Sequence, residues 1–179
     1  MGAMPTVVNR PDAVRRAWAV LADVPDPEVP AISVCDLGIV REVIALEDDT
    51  LEIVLTPTYS GCPATEVIEE SVVKAIVDAG LGKASVRLQR APAWTTDWIT
   101  PEGREKLRAY GIAPPGAAVP AGQGVPLRLY ARGSSTPALQ CPRCDSFHTE
   151  QLAAFGSTAC KALYRCLSCK EPFEHFKPI

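Results

Sequence analysis

The chain has 179 residues, 47% of them hydrophobic, and a formal net charge of -3. This length predicts one ordinary domain with a small appendage. The negative charge argues against a protein whose nucleic-acid or membrane binding depends on its own positive field. No apolar run is long enough to span a bilayer, and the amino-terminal residues lack the apolar core of a secretion signal. We therefore expect a cytoplasmic protein without a membrane partner.

The amino-terminal part of the chain alternates helical and β patterns. PDAVRRAWAVL has the apolar spacing of an amphipathic helix, and the runs GIVREVIAL and TLEIVLT flank the acidic EDD as in a hairpin. A second helix is predicted from Pro63 to a stop at Gly80, followed by a strand in ASVRLQ. A third helix has Thr100 as its cap, Pro101 at its first position and Gly111 at its end. This order predicts an α+β fold, a small mixed domain with a β-hairpin and packed helices.

Seven cysteines in a chain without an export signal indicate metal ligands or reactive thiols rather than disulfides. Four of them form two C-x-x-C pairs, and four thiolates at tetrahedral corners are typical of a structural zinc site. These ligands are Cys141, Cys144, Cys166 and Cys169. A segment of about forty residues buries little core, so the metal would supply much of its folding energy. An iron–sulfur cluster on the same cysteines, or a ligand from His148 or His175, stays open, and Cys160 is interpreted as a small buried residue.

The composition between the two parts predicts a linker. Residues 113–138 are rich in Pro, Gly, Ala and Ser. We therefore predict an α+β domain over residues 1–112, a linker over 113–138 and a zinc ribbon over 139–179.

Cys62 stands apart from the metal pairs, in the stretch TPTYSGCPATEVIEE. If Pro63 is the first helical residue, Cys62 is the N-cap, where free N–H groups and the helix dipole favour a thiolate. The alternative is a small residue that fills space at the helix start. Both histidines lie in the metal segment, so a Cys–His hydrolase would lack its base, whereas binding of a soft metal needs no histidine.

Other polar residues near this stretch have two interpretations each. Cys35 is either a second ligand or a buried residue of ISVCDLG. Asp26 and Glu28 flank Pro27 and are either solvated loop carboxylates or neighbours of the thiol. The Asp36–Gly38 sequence is interpreted as a plain turn.

The motifs DPEVPAISVCDLGIV and TPTYSGCP resemble the small domain shared by SufT-like proteins and the eukaryotic cytosolic iron–sulfur targeting factors. The tail, with FGSTACKALYRC between its cysteine pairs, resembles the PaaD family of bacterial phenylacetate degradation. Together the resemblances cover nearly the whole chain. They map the reactive family cysteine onto Cys62 and include Thr56, Asp26 and Glu28 as supporting positions. Asp26 and Glu28 are expected either to pair with the client protein or to frame the thiol.

The resemblance implies a compact α+β fold and a role in maturation rather than catalysis. The expected function is assembly or delivery of iron or an iron–sulfur cluster, bound transiently, while zinc is the structural cofactor. Expected partners are the phenylacetyl-CoA epoxidase subunits (its di-iron oxygenase or iron–sulfur reductase), other iron–sulfur assembly proteins, and a second copy in a homodimer. Two rival interpretations are a structural subunit of the epoxidase that binds no iron and a nucleic-acid-binding ribbon, which the acidic pI near 5.4 disfavours.

Overall fold

The computed structural model describes residues 7–59, 61, 64–116 and 139–178. Within these ranges the predicted α+β class is confirmed, with three helices and seven strands. In chain order they are α1 (Pro11–Leu21), β1 (Val40–Ala45), β2 (Thr50–Leu55), α2 (Thr65–Asp78), β3 (Lys83–Leu88), α3 (Pro101–Tyr110), β4 (Ile112–Ala113), β5 (Thr149–Ala153), β6 (Lys161–Cys166) and β7 (Pro172–Phe176). The chain divides into two units, residues 1–94 with 98–103, and residues 95–97 with 104–179.

The first unit contains a three-stranded sheet in the order β1-β2-β3. The predicted hairpin is confirmed, because β1 pairs antiparallel with β2, with Val43 opposite Ile53. Strand β3 pairs parallel with β2, with Val86 opposite Ile53. A parallel neighbour requires a crossover connection, and α2 provides it. Residues 56–64 therefore connect the carboxyl end of β2 to the start of this crossover helix.

Apolar periodicity explains why these elements pack. Strand β2 is the central strand and is buried along most of its length, and α1 contacts both β1 and α2. The buried side chains of the two helices recur three or four residues apart, as one helical face requires. They are Ala17 and Leu21 of α1 and Ile68, Val72 and Ile76 of α2, which lie with Leu51, Ile53, Val54 and Leu55 of β2 in the core.

The Asp36–Gly38 turn does more than reverse the chain. The Leu37 carbonyl accepts a hydrogen bond from the Trp94 indole N–H at 2.9 Å. The Asp36 carbonyl accepts one from the Thr100 backbone N–H at 2.9 Å. Trp94 and Thr100 are more than fifty residues away along the chain, so this turn makes long-range contacts within the first unit.

Helix α3 begins and ends where the sequence predicts. The Thr100 hydroxyl accepts the backbone N–H of Gly103 at 2.9 Å, which is the hydrogen bond of an N-cap. Gly111 follows the last helical residue with a φ of 95°, a left-handed conformation that glycine adopts without strain.

The second unit contains a four-stranded sheet in the order β4-β7-β6-β5. Strand β6 pairs antiparallel with β5 and β7, as in the predicted ribbon. The two-residue strand β4 pairs parallel with β7, with Ile112 opposite Glu174. The sequence pattern assigns Ile112 to the end of the first domain, whereas its backbone extends the ribbon sheet. The boundaries at 112 and 139 stay predictions, and most of the predicted linker, residues 117–138, lies outside the described residues.

The core of the second unit is small. Tyr164 and Phe173 stack with ring centroids 5.8 Å apart. The buried cluster around them consists of Ala113, Cys141, Ala162, Tyr164, Cys166 and Phe173. Two of the six are cysteines of the C-x-x-C pairs, so the apolar core and the sulfur cluster share residues. Within the part of the chain that the structure describes, no helix is both long and apolar enough to cross a membrane.

Candidate metal centre and thiol site

The four paired cysteines come together at one end of the ribbon sheet. Cys141 and Cys144 belong to the turn before β5, Cys166 ends β6, and Cys169 lies in the turn before β7. Their sulfur atoms all lie within 4.8 Å of one another. The Sγ atoms of Cys141 and Cys169 are 3.8 Å apart, and those of Cys144 and Cys166 are 3.5 Å apart.

These distances fit a tetrahedral zinc site. Four sulfurs, each about 2.3 Å from a zinc ion at the centre of a tetrahedron, are about 3.8 Å from one another. The two measured sulfur–sulfur distances of 3.5 and 3.8 Å are close to that value. The residues present therefore fit the zinc ion that the spacing predicts, with one ligand pair from each turn.

Hydrogen bonds and crowding shift the pKa values of two of these thiols in opposite directions. The backbone N–H of Cys169, 3.5 Å from the Cys166 sulfur, lowers the pKa of Cys166 to about 6. A hydrogen bond from the Ser146 backbone favours the thiolate of Cys144, but desolvation and the neighbouring cluster thiols raise its pKa to about 12. Four crowded sulfurs do not ionise together unaided, and a bound divalent metal would supply the compensating charge.

Among the described residues, the other candidates of the ribbon stay outside the sulfur cluster. His148 is exposed. His175 is buried, its Nδ1 lies 3.2 Å from the Ala113 carbonyl oxygen, and burial lowers its pKa, which favours the neutral ring. The Cys160 sulfur is buried 3.0 Å from the Thr158 hydroxyl. His175 thus links β7 to β4, and Cys160 occupies the interior position that we expected.

In the first unit, Asp26 holds its own loop together. Its side chain is buried, and its Oδ1 accepts the backbone N–H groups of Glu28 at 3.0 Å and Val29 at 2.8 Å. The Asp26 backbone N–H donates to the Ile32 carbonyl at 2.8 Å. The interpretation of Asp26 as a solvated carboxylate is therefore wrong, because the loop closes around it. The side chain of Glu28 is half-buried.

Cys35 is a protonated thiol. Burial, and to a lesser degree the charge of Asp36, raises the pKa of Cys35 to about 12. A metal that takes Cys35 as a ligand must first displace this proton.

Thr56 is the residue whose environment the sequence did not indicate. It follows the last residue of β2, and its backbone N–H donates to the Ile39 carbonyl at 2.9 Å. Its side chain is 1% exposed, yet within the described residues its Oγ1 has no hydrogen-bond partner. No sequence pattern shows such an unpaired hydroxyl, because burial depends on tertiary packing.

Cys62 lies outside the described residues, as do Ser60 and Pro63. Helix α2 begins at Thr65 with Ala64 at its N-cap, two residues later than the start that the sequence predicts at Pro63. The thiolate character of Cys62 and its exposure therefore stay predictions. What the structure establishes is its place in the chain, in the connection from β2 to α2.

Comparison with known proteins gives the family. The family described as "PaaD zinc beta ribbon domain" matches residues 129–177, and the family described as "Iron-sulfur cluster assembly protein" matches residues 15–88. A protein from Escherichia coli that is named as a subunit of 1,2-phenylacetyl-CoA epoxidase is 48% identical over 94% of this chain and 95% of its own length. This chain belongs to the PaaD family.

The amino-terminal half of this PaaD-family chain has relatives of its own. "Fe-S protein maturation auxiliary factor YitW" from Bacillus subtilis is 36% identical over 43% of this chain and 76% of that protein. The crystal structure of a "Domain of Unknown Function DUF59" from Bacillus anthracis is 26% identical, covers 54% of this chain and 92% of its own, and has a TM-score of 0.50. The predicted resemblance to an iron–sulfur assembly domain joined to a PaaD ribbon is thus confirmed.

Proposed function

We propose that this chain is a non-catalytic maturation factor that binds iron or an iron–sulfur cluster transiently at Cys62 and delivers it to the phenylacetyl-CoA epoxidase. The observation that carries the proposal is that one chain combines similarity to an iron–sulfur assembly domain with similarity to a protein named as an epoxidase subunit. An iron–sulfur assembly domain matches residues 15–88, and a relative named as an epoxidase subunit matches almost the full length. A shorter relative of the first unit bears the name of a maturation factor.

The topology around Cys62 supports this role. In β–α–β units with parallel strands, ligands bind beyond the carboxyl ends of the strands. The connection that carries Cys62 leaves the carboxyl end of β2 and enters α2, whose first N–H groups attract anions. We infer that the Cys62 sulfur faces these N–H groups, which would favour its thiolate, the form that binds iron.

Delivery by one sulfur is a ligand exchange. A single thiolate leaves the other iron sites to be filled by sulfide, by another thiol or by the client. A client thiolate or carboxylate then replaces the Cys62 sulfur on the iron, and Cys62 recovers a proton, without a change in oxidation state. Weak retention is an advantage here, because a cargo that Cys35 also held tightly would be harder to release.

We assign the ribbon a structural and docking role. Its four cysteines would hold one zinc ion that fixes the two turns and the β5–β6–β7 sheet, presenting a rigid surface to the di-iron oxygenase or the iron–sulfur reductase. In this proposal zinc and cargo differ in their coordination, because the four cysteine sulfurs would complete a tetrahedral zinc site and leave no open position.

Metal analysis of protein prepared without oxygen tests the proposal. The parent, Cys62→Ser and Cys160→Ser would be incubated with ferrous iron and sulfide, desalted, and assayed for iron and zinc per chain. We expect the parent and Cys160→Ser to carry zinc plus iron, and Cys62→Ser to keep its zinc and lose its iron. Transfer is then followed as activity regained by the iron-depleted epoxidase oxygenase or reductase. Equal iron in Cys62→Ser and the parent would contradict the assignment of Cys62.

The relative's name also favours a second candidate, a structural epoxidase subunit that handles no iron. That role predicts zinc alone in all three proteins and stable co-elution with the oxygenase or reductase. A homodimer that brings two Cys62 thiols together predicts instead that cargo-loaded protein elutes at twice the mass of the unloaded protein.

A further inference from the structure

The solvent-facing side of helix α2 carries two exposed valines. The side chains of Val67 and Val77 are 49% and 52% exposed. Single exposed apolar side chains are normal on protein surfaces. Here, however, an open groove of about 550 Å³ lies beside the helix, and Val73 and Val77 line it together with Val86 of β3. The exposed apolar surface therefore extends from α2 toward β3, an edge strand of its sheet.

The two valines belong to a stripe of four exposed side chains along α2. The stripe consists of Val67, Glu70, Lys74 and Val77. Their spacings of three, four and three residues are those of the a and d positions through which two helices pack against each other. The buried residues of α2 lie on the opposite side of the helix. The stripe is thus a second packing face, and no element of the described chain covers it.

This stripe is complementary to itself when two copies of α2 lie antiparallel. A twofold axis beside the middle of the stripe reverses the order of its residues. It therefore places Val67 of one copy beside the partner's Val77, and Glu70 beside the partner's Lys74. Each contact occurs twice, as in every isologous interface. Two parallel helices would instead place Glu70 beside Glu70 and Lys74 beside Lys74, and such like-charge contacts are unfavourable.

Both charged groups are available for these contacts. Lys74 forms an ion pair with Asp78 of the same helix, but the two side chains are 72% and 61% exposed, and exposed pairs of this kind contribute little. None of the ion pairs among the described residues uses Glu70. A second copy can therefore pair with these groups without breaking any buried interaction.

We propose that the exposed face of α2 is an isologous docking surface for a second copy of this chain. The two helices run antiparallel, with the Val67–Val77 contacts at the ends and the Glu70–Lys74 ion pairs between them. One helix of 14 residues per copy offers less area than a standard interface. We therefore expect a weak dimer, with a dissociation constant of about 10–100 µM. The contact involves no cargo, so the inference is independent of the function proposed above.

Charge reversal tests this pairing. Glu70→Lys and Lys74→Glu each give both central contacts like charges. The double variant restores opposite charges, and so does an equimolar mixture of the two single variants, because one chain then carries two lysines and the other two glutamates. Val77→Ser removes an apolar contact at each end. Arg15→Glu is the matched control, because it reverses an exposed cation and removes an ion pair within a helix, but on α1.

Sedimentation equilibrium of the full chain, loaded with zinc and free of iron, measures the association. The concentrations run from well below to well above the expected dissociation constant. We expect each single charge variant, and Val77→Ser, to raise the dissociation constant about tenfold or more. The double variant and the mixture should return to the parent's value, and Arg15→Glu should not change it. Thermal unfolding of the single variants near the parent's midpoint would show that the monomers are intact.

Several results would overturn the inference. They include a parent that stays monomeric at the highest concentration, and single charge variants that associate as tightly as the parent, which would place the contact on another surface. A double variant and a mixture that both stay dissociated would overturn the antiparallel pairing. A parent that is monomeric alone, but co-elutes with an epoxidase subunit unless Val77→Ser is present, would assign this face to that subunit instead of a second copy.

Discussion

Gly38→Ala tests the close contact between the Asp36–Gly38 turn and Trp98 within the first unit. Gly38 has a φ of 67°, where an L-residue costs about 1–2 kcal/mol. A Cβ at this position would lie 2.6 Å from the Trp98 carbonyl oxygen and 2.8 Å from the Trp98 Cβ. Moving this backbone costs about 1–3 kcal/mol more, the range for an overpacked site. We therefore expect Gly38→Ala to lower the free energy of unfolding of the first unit by about 2–5 kcal/mol.

Gly80→Ala is the matched control. Gly80 follows α2 with a φ of 66°, almost the same as Gly38, but a Cβ there would meet nothing within 4 Å. Its cost should be the conformational term alone, about 1–2 kcal/mol. The difference between the two variants, about 1–3 kcal/mol, isolates the steric contact between the turn and Trp98.

Urea unfolding followed by tryptophan fluorescence reports this unit selectively. The chain has three tryptophans, and Trp18, Trp94 and Trp98 all belong to the first unit. Zinc is kept constant so that the second unit stays in one state, and the slope of the transition is compared between variants to check that the same surface unfolds. Equal losses in Gly38→Ala and Gly80→Ala would refute the contact, and the segment after β3 would then be held by its hydrogen bonds alone.

Three other outcomes follow from the described contacts. Cys144→Ser should lose stoichiometric zinc, as measured by metal analysis after desalting. Cys160→Ser, which alters a cysteine outside the sulfur cluster, should keep its zinc. Zinc retained in Cys144→Ser would contradict the four-sulfur site. Cys35 has a pKa raised from 9.0 to about 12, so at pH 8 its alkylation, mapped by peptide mass, should be roughly a thousandfold slower than in the urea-unfolded chain. Because the folded pKa is the higher one, the stability that this thiol contributes is complete below pH 9.0 and is lost as the pH rises toward about 12. Glu174→Gln leaves the Lys161 ammonium, whose side chain is 3% exposed, without the carboxylate 3.0 Å away. Thermal unfolding should show a loss of about 3–5 kcal/mol in the free energy of unfolding, and adding Lys161→Met should restore most of it. A double variant as unstable as Glu174→Gln would contradict this account.

The sequence predicted the fold where the apolar pattern has a clear period. Strands β1 and β2 flank an acidic turn, and the buried residues of α2 recur at helical spacing. It did not predict β4, because Ile112 and Ala113 are too few to show any period and their pairing with β7 depends on residues about sixty positions away. The start of α2 at Thr65 also differs from the predicted Pro63, since helix ends depend on cap geometry more than on periodicity.

The two candidate sites were predictable to different degrees. Two C-x-x-C pairs encode a metal site locally, because each pair brings its own two sulfurs together, and the structure needs only to bring the turns into contact. The unpaired hydroxyl of Thr56 is a property of tertiary packing. Its neighbours in the chain, Leu55 and Pro57, give no sign that the side chain is buried without a partner.

The two aspartates of the first unit's motifs, Asp26 and Asp36, have structural roles that their hydrogen bonds identify. Asp26 satisfies the N–H groups of its own D-P-E turn, and Asp36 fastens both its own turn and Thr100. A carboxylate that accepts backbone N–H groups at this depth is held in place, and moving it to a metal would leave buried donors unpaired. We therefore infer that these aspartates stabilise their own turns and are poor candidates for metal ligands. The thiol of Cys62 belongs to neither turn, because it lies in the connection from β2 to α2.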